Sequence, residues 1–115
     1  MVIVYGISNC DKVKLMLSEL KESGLSFELY DFKKTPPTSK NLKDWSEFLN
    51  ELPVNKRGTT YRQLKTEFEA LNKAEQIIFL INNPSMIKRP IIEIEKKTLA
   101  IGYDKNLLQM IKNQF

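Results

Sequence analysis

The chain contains a single cysteine and no histidine among its 115 residues. One cysteine cannot form an internal disulfide, so the sequence excludes a disulfide-stabilised scaffold. Without histidine or a second cysteine, a structural zinc site or a haem lacks its usual ligands. We therefore expect no metal and no tightly bound cofactor. A lone reduced thiol is typical of a cytoplasmic protein, and we expect that location.

Long apolar runs and a secretory signal are also lacking. No apolar stretch approaches the roughly 18 residues that span a bilayer, and no charged segment followed by an apolar one comes after Met1. We expect no membrane attachment. The formal net charge is only +4, from 18 basic and 14 acidic residues. These charges are interleaved along the predicted helices, which argues against a direct nucleic-acid partner.

The first third of the chain has the pattern of a β-α-β unit. The β-branched and aromatic run Val2-Ile3-Val4-Tyr5 predicts a buried strand that Gly6 ends. Apolar residues at helical spacing from Asp11 onward predict a helix that ends at Gly24. Alternating apolar residues predict a second strand over 26–31. Because such crossovers are nearly always right-handed, we expect the two strands to be parallel.

The rest of the chain predicts a helical block and then a hairpin. Three helices are expected in 38–82, beginning at Thr38 or Ser39, at Thr59 or Thr60, and at Lys73. Residues 91–102 predict two strands joined at Lys96-Lys97, and Asp104 is expected to cap a last helix. The predicted fold is α/β, with a four-stranded mixed sheet flanked by helices and a helical insertion at about 38–82, in one domain over 1–115.

Cys10 follows the first strand and stands where the first helix should begin. The positive end of a helix and its free N–H groups favour a thiolate over a thiol, and the thiolate is the nucleophile in thiol chemistry. Lys12 and Lys14 add positive charge nearby, whereas Asp11 opposes it. The alternative interpretation is that Cys10 is a small buried apolar residue. The position between strand and helix favours a reactive cysteine.

Two further segments carry basic residues at turns. Lys88-Arg89-Pro90 precedes a strand, and Pro90 could form a cis peptide bond there. The loop Asn55 to Thr60 contains Lys56, Arg57 and a glycine, and its donors suit a carboxylate or an oxyanion. The alternative for both segments is an ordinary exposed loop.

Taken together, the motifs resemble the ArsC/Spx branch of the thioredoxin fold, and most closely its YffB-type, arsenate reductase-like members. Four segments carry the resemblance, in the same order along nearly the whole chain: Tyr5-Gly6-Ile7-Ser8-Asn9-Cys10-Asp11, Asn55-Lys56-Arg57-Gly58-Thr59-Thr60-Tyr61-Arg62, Asn83-Pro84-Ser85-Met86-Ile87-Lys88-Arg89-Pro90 and Gly102-Tyr103. The resemblance implies a thioredoxin-like sheet in which Pro90 is a cis-proline facing Cys10, and in which Arg89 and Arg57 approach the thiolate.

The resemblance also implies a function. We expect a glutathione-dependent monothiol oxidoreductase in which Cys10 is catalytic and an external thiol, from glutathione or glutaredoxin, resolves a mixed disulfide. The expected substrate-binding residues are Arg57, Arg89, Pro90, Lys12 and Asn9.

Two alternative functions follow from the same resemblance. One is arsenate reduction, but the arginine that the arsenate reductases carry in their last strand is missing from Ala100-Ile101-Gly102-Tyr103. The other is a non-enzymatic regulator that binds the RNA polymerase α-subunit, as Spx proteins do. Spx proteins use a Cys-x-x-Cys switch, and Val13 stands where its second cysteine would be.

Overall fold

The computed structural model describes the whole chain, residues 1–115. Its helices and strands follow in the order β1 (Val2–Gly6), α1 (Asp11–Glu22), β2 (Phe27–Asp31), α2 (Ser39–Leu49), α3 (Thr59–Glu69), α4 (Lys73–Asn82), β3 (Ile91–Ile94), β4 (Lys97–Ile101) and α5 (Leu107–Lys112). The chain divides into two compact units, one of residues 1–31 and 89–115 and the other of residues 32–88. None of the helices has the length and apolar composition that a bilayer crossing requires.

The first unit contains a four-stranded mixed sheet with the strand order β2-β1-β3-β4. β1 is parallel to β2, with Val4 opposite Leu29, and antiparallel to β3, with Val4 opposite Ile92. β3 and β4 form an antiparallel hairpin. The β-α-β unit and the mixed sheet that the sequence predicts are therefore confirmed.

One face of this sheet packs against α1 and α5. The fully buried side chains of this core are contributed by the strands and by both helices, and they are Val2, Val4, Met16, Leu20, Ile92, Leu107 and Ile111. The predicted end of α1 at Gly24 is also confirmed. Gly24 has φ +70°, and the N–H groups of Gly24 and Leu25 donate to the carbonyls of Lys21 and Leu20. These two bonds satisfy carbonyls that the helix leaves without partners.

Two local predictions in the first unit are wrong. The hairpin turn is Glu95-Lys96, both with positive φ, and Lys97 already belongs to β4. A two-residue turn with two positive φ angles matches the twist of the strands, although neither residue type signals it. Asp104 does not cap α5, whose N-cap is Asn106. The Asp104 carboxylate and carbonyl instead accept from the N–H groups of Asn106 and Leu107, which forms the preceding turn.

The second unit contains the three predicted helices of the insertion. Thr38 and Asn72 each form a capping box, at the starts of α2 and α4. Trp45 is fully buried and packs against Phe32, with ring centroids 6.0 Å apart. An isolated antiparallel bridge joins Val54 to Ile87.

Candidate active site

Cys10 is the N-cap residue of α1. After β1 ends at Gly6, the chain turns so that the Cys10 N–H donates to the carbonyl of Ile7 at 3.0 Å. Ile7 is buried and anchors this turn. Cys10 has an extended backbone (φ −82°, ψ 128°), and its carbonyl accepts from the Lys14 N–H at 2.9 Å. The cysteine side chain therefore stands at the end of a twelve-residue helix where N–H groups have no helical partner.

The Cys10 thiol is half-buried, and several groups act on its sulfur. Burial raises the pKa of the Cys10 thiol. The backbone N–H of Val13, the charge and hydrogen bonding of Arg89, and the backbone N–H of Lys12 outweigh burial and bring that pKa below its ordinary value. The sulfur makes no close capping hydrogen bond.

Arg89 and Pro90 come from the segment that enters β3. The Arg89–Pro90 peptide bond is cis, Pro90 is buried and Arg89 is half-buried. The Pro90 carbonyl accepts from the Gly102 N–H at 2.8 Å, which ties this segment to the residue after β4. The first unit thus brings together Cys10 and Arg89, which are far apart in the sequence.

The other predicted binding residues have exposed side chains. Asn9 precedes Cys10 and is exposed, and the Lys12 side chain is also exposed. Lys12 acts on the sulfur through its backbone N–H rather than its ammonium group. Arg57 belongs to the second unit, in the loop before α3, and is exposed. The roles of these residues in binding stay predictions.

The N–H of Val13 was missed from the sequence, where Val13 was noted as the residue at the position of the second cysteine of Spx proteins. A signal was available in the N-cap position predicted for Cys10. An N-cap side chain faces the N–H groups two and three residues further along, and these belong to Lys12 and Val13.

No group of three or more His, Cys, Asp and Glu side chains in this structure could hold a metal ion.

A four-stranded mixed sheet with a thiol at a helix N-terminus and a cis-proline before the third strand defines a thioredoxin-like protein. The model of the ArsC family matches residues 5–111, and the chain belongs to that family. An uncharacterized protein of Haemophilus influenzae is 37% identical over 112 residues, which are 95% of this chain and 96% of the relative. The global transcriptional regulator Spx of Lactiplantibacillus plantarum is 23% identical over 109 residues, which are 92% of this chain and 82% of the regulator.

Solved structures have the same fold. That of a YffB protein has a TM-score of 0.81 and 28% identity, covering 95% of this chain and 96% of its own. That of a possible arsenate reductase from Streptococcus mutans has a TM-score of 0.74 and 27% identity, covering 91% of this chain and 92% of its own. The predicted family and the thioredoxin-like fold are therefore confirmed.

Proposed function

We propose that this protein is a glutathione-dependent monothiol oxidoreductase whose nucleophile is the Cys10 thiolate. The observation that carries the proposal is the placement of one half-buried thiol at the N-terminus of α1, beside the guanidinium of Arg89. This environment favours the thiolate, and only the thiolate attacks a disulfide. Membership of the ArsC family supports a redox or a regulatory function, because similar proteins include a possible arsenate reductase and a transcriptional regulator. These similarities do not identify the substrate.

The reaction needs no second cysteine in the protein. In the first step the Cys10 thiolate attacks the glutathione sulfur of a mixed disulfide. A new S–S bond joins Cys10 to glutathione, and the substrate sulfur leaves as a thiolate that takes up a proton. In the second step the thiolate of another glutathione, or of glutaredoxin, attacks the glutathione sulfur of the adduct. The Cys10 thiolate leaves, and the oxidised product is a disulfide between glutathione and the attacking thiol.

The predicted binding residues have matching chemistry. Glutathione has two carboxylates, and the exposed side chain of Lys12 in the first unit offers a cationic donor for one of them. Arg57, in the second unit, stays a predicted binding residue that the family resemblance suggests. Arg89 would stay with the sulfur, where it stabilises the leaving thiolate in the second step. Asn9 precedes Cys10 and Pro90 follows Arg89 in the sequence, and both stay predicted binding residues.

The test is turnover of a glutathionylated peptide with glutathione as the reductant, with and without added glutaredoxin. We expect Cys10→Ser to reduce turnover to background. Ser18→Ala, a change of one exposed hydroxyl elsewhere on α1, is the matched control and should keep full turnover. Mass spectrometry of the wild-type protein in the oxidised peptide mixture should find one glutathione on Cys10. Turnover that survives the loss of Cys10 would contradict the proposal.

Arsenate reduction by the same nucleophile is the second candidate. It is favoured by the likeness to a possible arsenate reductase and weakened by the absence of arginine from Ala100–Tyr103. A glutaredoxin-coupled arsenate assay separates the two activities. A rate above background that disappears in Cys10→Ser would establish arsenate reduction, and a background rate would remove it.

Regulation without catalysis is the third candidate, and the likeness to Spx regulators favours it. The proposed partner is the C-terminal domain of the RNA polymerase α-subunit. Retention of this domain by the immobilised protein, with equal retention by Cys10→Ser, would support a thiol-independent binding role. Absence of retention would argue against that role.

A further inference from the structure

Gly6, the last residue of β1, lies against the first turn of α1. A Cβ atom at this position would stand 2.6 Å from Cγ2 and 3.4 Å from Cγ1 of Val13. Carbon atoms in contact are normally about 3.5–4.0 Å apart. Positive φ angles among the glycines occur only at Gly24 and Gly102, so the backbone at Gly6 is one that other residues adopt. Glycine is needed at position 6 because of the space, not because of the backbone.

Val13 has little freedom to move away from an added side chain. It is fully buried, and a β-branched residue in a helix has one strongly preferred side-chain rotamer. A methyl group at position 6 would therefore have to displace the first turn of α1 from β1 by about 1 Å. The contact between Gly6 and Val13 sets how closely the helix start approaches the strand.

The same turn acts on the thiol. Burial raises the pKa of Cys10, and the backbone N–H of Val13 is the largest single cause that lowers it. The other contributors are Arg89, which enters from the segment before β3, and the N–H of Lys12. Lys12 and Asp11 have exposed side chains on α1. A shift of the first turn would move the Val13 N–H relative to the sulfur and leave Arg89 in place.

We propose that Gly6 is a positioning residue for Cys10, because the missing side chain lets the first turn of α1 approach β1 until the Val13 N–H stands beside the sulfur. Its importance for turnover rests on the proposed function. The contact and its effect on the thiol do not depend on which reaction the protein catalyses. Gly6 touches neither substrate nor reacting atoms, and it acts through Val13.

The test is the rate of Cys10 alkylation by iodoacetamide as a function of pH in four proteins: wild type, Gly6→Ala, Val13→Ala and the double variant. With Val13 present, Gly6→Ala should move the alkylation midpoint to higher pH. Near neutral pH it should slow alkylation about threefold, because the loss of thiolate is partly offset by the greater nucleophilicity of a more basic thiolate. In the Val13→Ala protein the two Cγ atoms are gone, so adding Gly6→Ala to it should leave the midpoint unchanged.

Circular dichroism first establishes that each variant is folded. A folded Gly6→Ala protein with the wild-type midpoint overturns the proposal, and so does an equal shift with and without the Val13 side chain. If Gly6→Ala alone does not fold, the double variant decides. The midpoint of Val13→Ala in a folded double variant supports the steric coupling, and a higher midpoint overturns it. Peptide turnover is measured separately, so an inactive wild-type protein contradicts the proposed function without affecting the alkylation result.

Discussion

The guanidinium of Arg89 lies beside the sulfur of Cys10, although the two residues are far apart in the sequence. Their meeting depends on the sheet. β1 is followed by a short turn that ends at Cys10, the residue before α1. β3 begins at Ile91, two residues after Arg89, and pairs with β1 in the antiparallel sense. Since Val13 and Lys12 add only backbone N–H groups, Arg89 is the one side-chain charge that lowers the pKa of the thiol against the effect of burial.

Replacement of Arg89 by glutamine should therefore make Cys10 less acidic and less reactive. An opposite charge within a few ångströms favours the ionised form of a thiol, so its loss should move the alkylation midpoint to higher pH and slow alkylation several-fold at pH values below that midpoint. Alkylation rate against pH measures this directly. Lys88→Gln is the matched control, because Lys88 is the adjacent basic residue and is exposed. If both variants shift the midpoint equally, the effect comes from general charge and not from the placement of Arg89.

The lowered pKa of Cys10 should also appear in the pH dependence of stability. In the unfolded chain the Cys10 thiol keeps its proton up to about pH 8.5. In the folded chain burial raises the pKa of the thiol, but Val13 and Arg89 lower it by more, so the proton is lost at lower pH. Between these two values the unfolded state binds more protons, so the free energy of unfolding rises with pH. The contribution is fully present above about pH 8.5 and is lost as pH falls through the folded pKa.

Urea unfolding of the wild-type protein and of Cys10→Ala, at pH values from acidic to mildly alkaline, tests this sign. The difference in unfolding free energy should move in favour of the wild type as pH rises. A difference that stays constant, or moves in favour of Cys10→Ala, would show that the folded state does not stabilise the thiolate.

Much of this fold follows from the sequence because its signals are local and agree with one another. The run Val2 to Tyr5, the apolar residues at helical spacing in α1 and the alternating apolar residues of 26–31 each predict one element, and the three elements form the β-α-β unit. The turn at Glu95-Lys96 escaped prediction because neither residue prefers positive φ, and the sheet imposes that conformation through strand pairing. Local preference is overridden there by tertiary structure.

The candidate site also has parts that the sequence predicts and parts that it does not. Cys10 could be found from the strand, turn and helix around it, since all three are adjacent in sequence. The proximity of Arg89 follows from strand pairing, which no local pattern reveals, and was suggested only by the family resemblance. The Val13 N–H and the close contact at Gly6 depend on how far a helix stands from a strand. Such distances are determined by side-chain packing, and the spacing of residues along the sequence does not predict them.

Truncation of Trp45 should lower the free energy of unfolding more than truncation of any other residue of α2. Its side chain is fully buried against Phe32 in the second unit. Loss of a large buried aromatic side chain costs about 3–5 kcal/mol, so Trp45→Ala should lower the free energy of unfolding by that order. Phe48→Ala is the control, because Phe48 lies on the same helix and is 48% exposed. Urea unfolding followed by circular dichroism provides the comparison, and equal losses in the two variants would contradict it.

Tyr103 donates a hydrogen bond from its hydroxyl to the Glu19 carboxylate on α1. That bond, with burial and the negative charges of Glu19 and Asp104, raises the pKa of Tyr103 above its ordinary value. In an ultraviolet titration, the Tyr103 signal, taken as wild type minus Tyr103→Phe, should rise at higher pH than a free tyrosine does. Glu19→Gln should shift this signal to lower pH, whereas Glu22→Gln, an exposed change on the same helix, should not.

The raised pKa fixes the sign of the corresponding stability effect. The folded protein holds the Tyr103 proton more tightly than the unfolded chain, so its contribution is fully present below about pH 10 and is lost as pH rises through the folded pKa. The stability advantage of the wild type over Tyr103→Phe should therefore be constant near neutral pH and shrink in strong alkali. An advantage that grows above about pH 10 would mean that the tyrosinate, not the phenol, is the form that α1 stabilises, and the hydrogen bond to Glu19 could not then explain it.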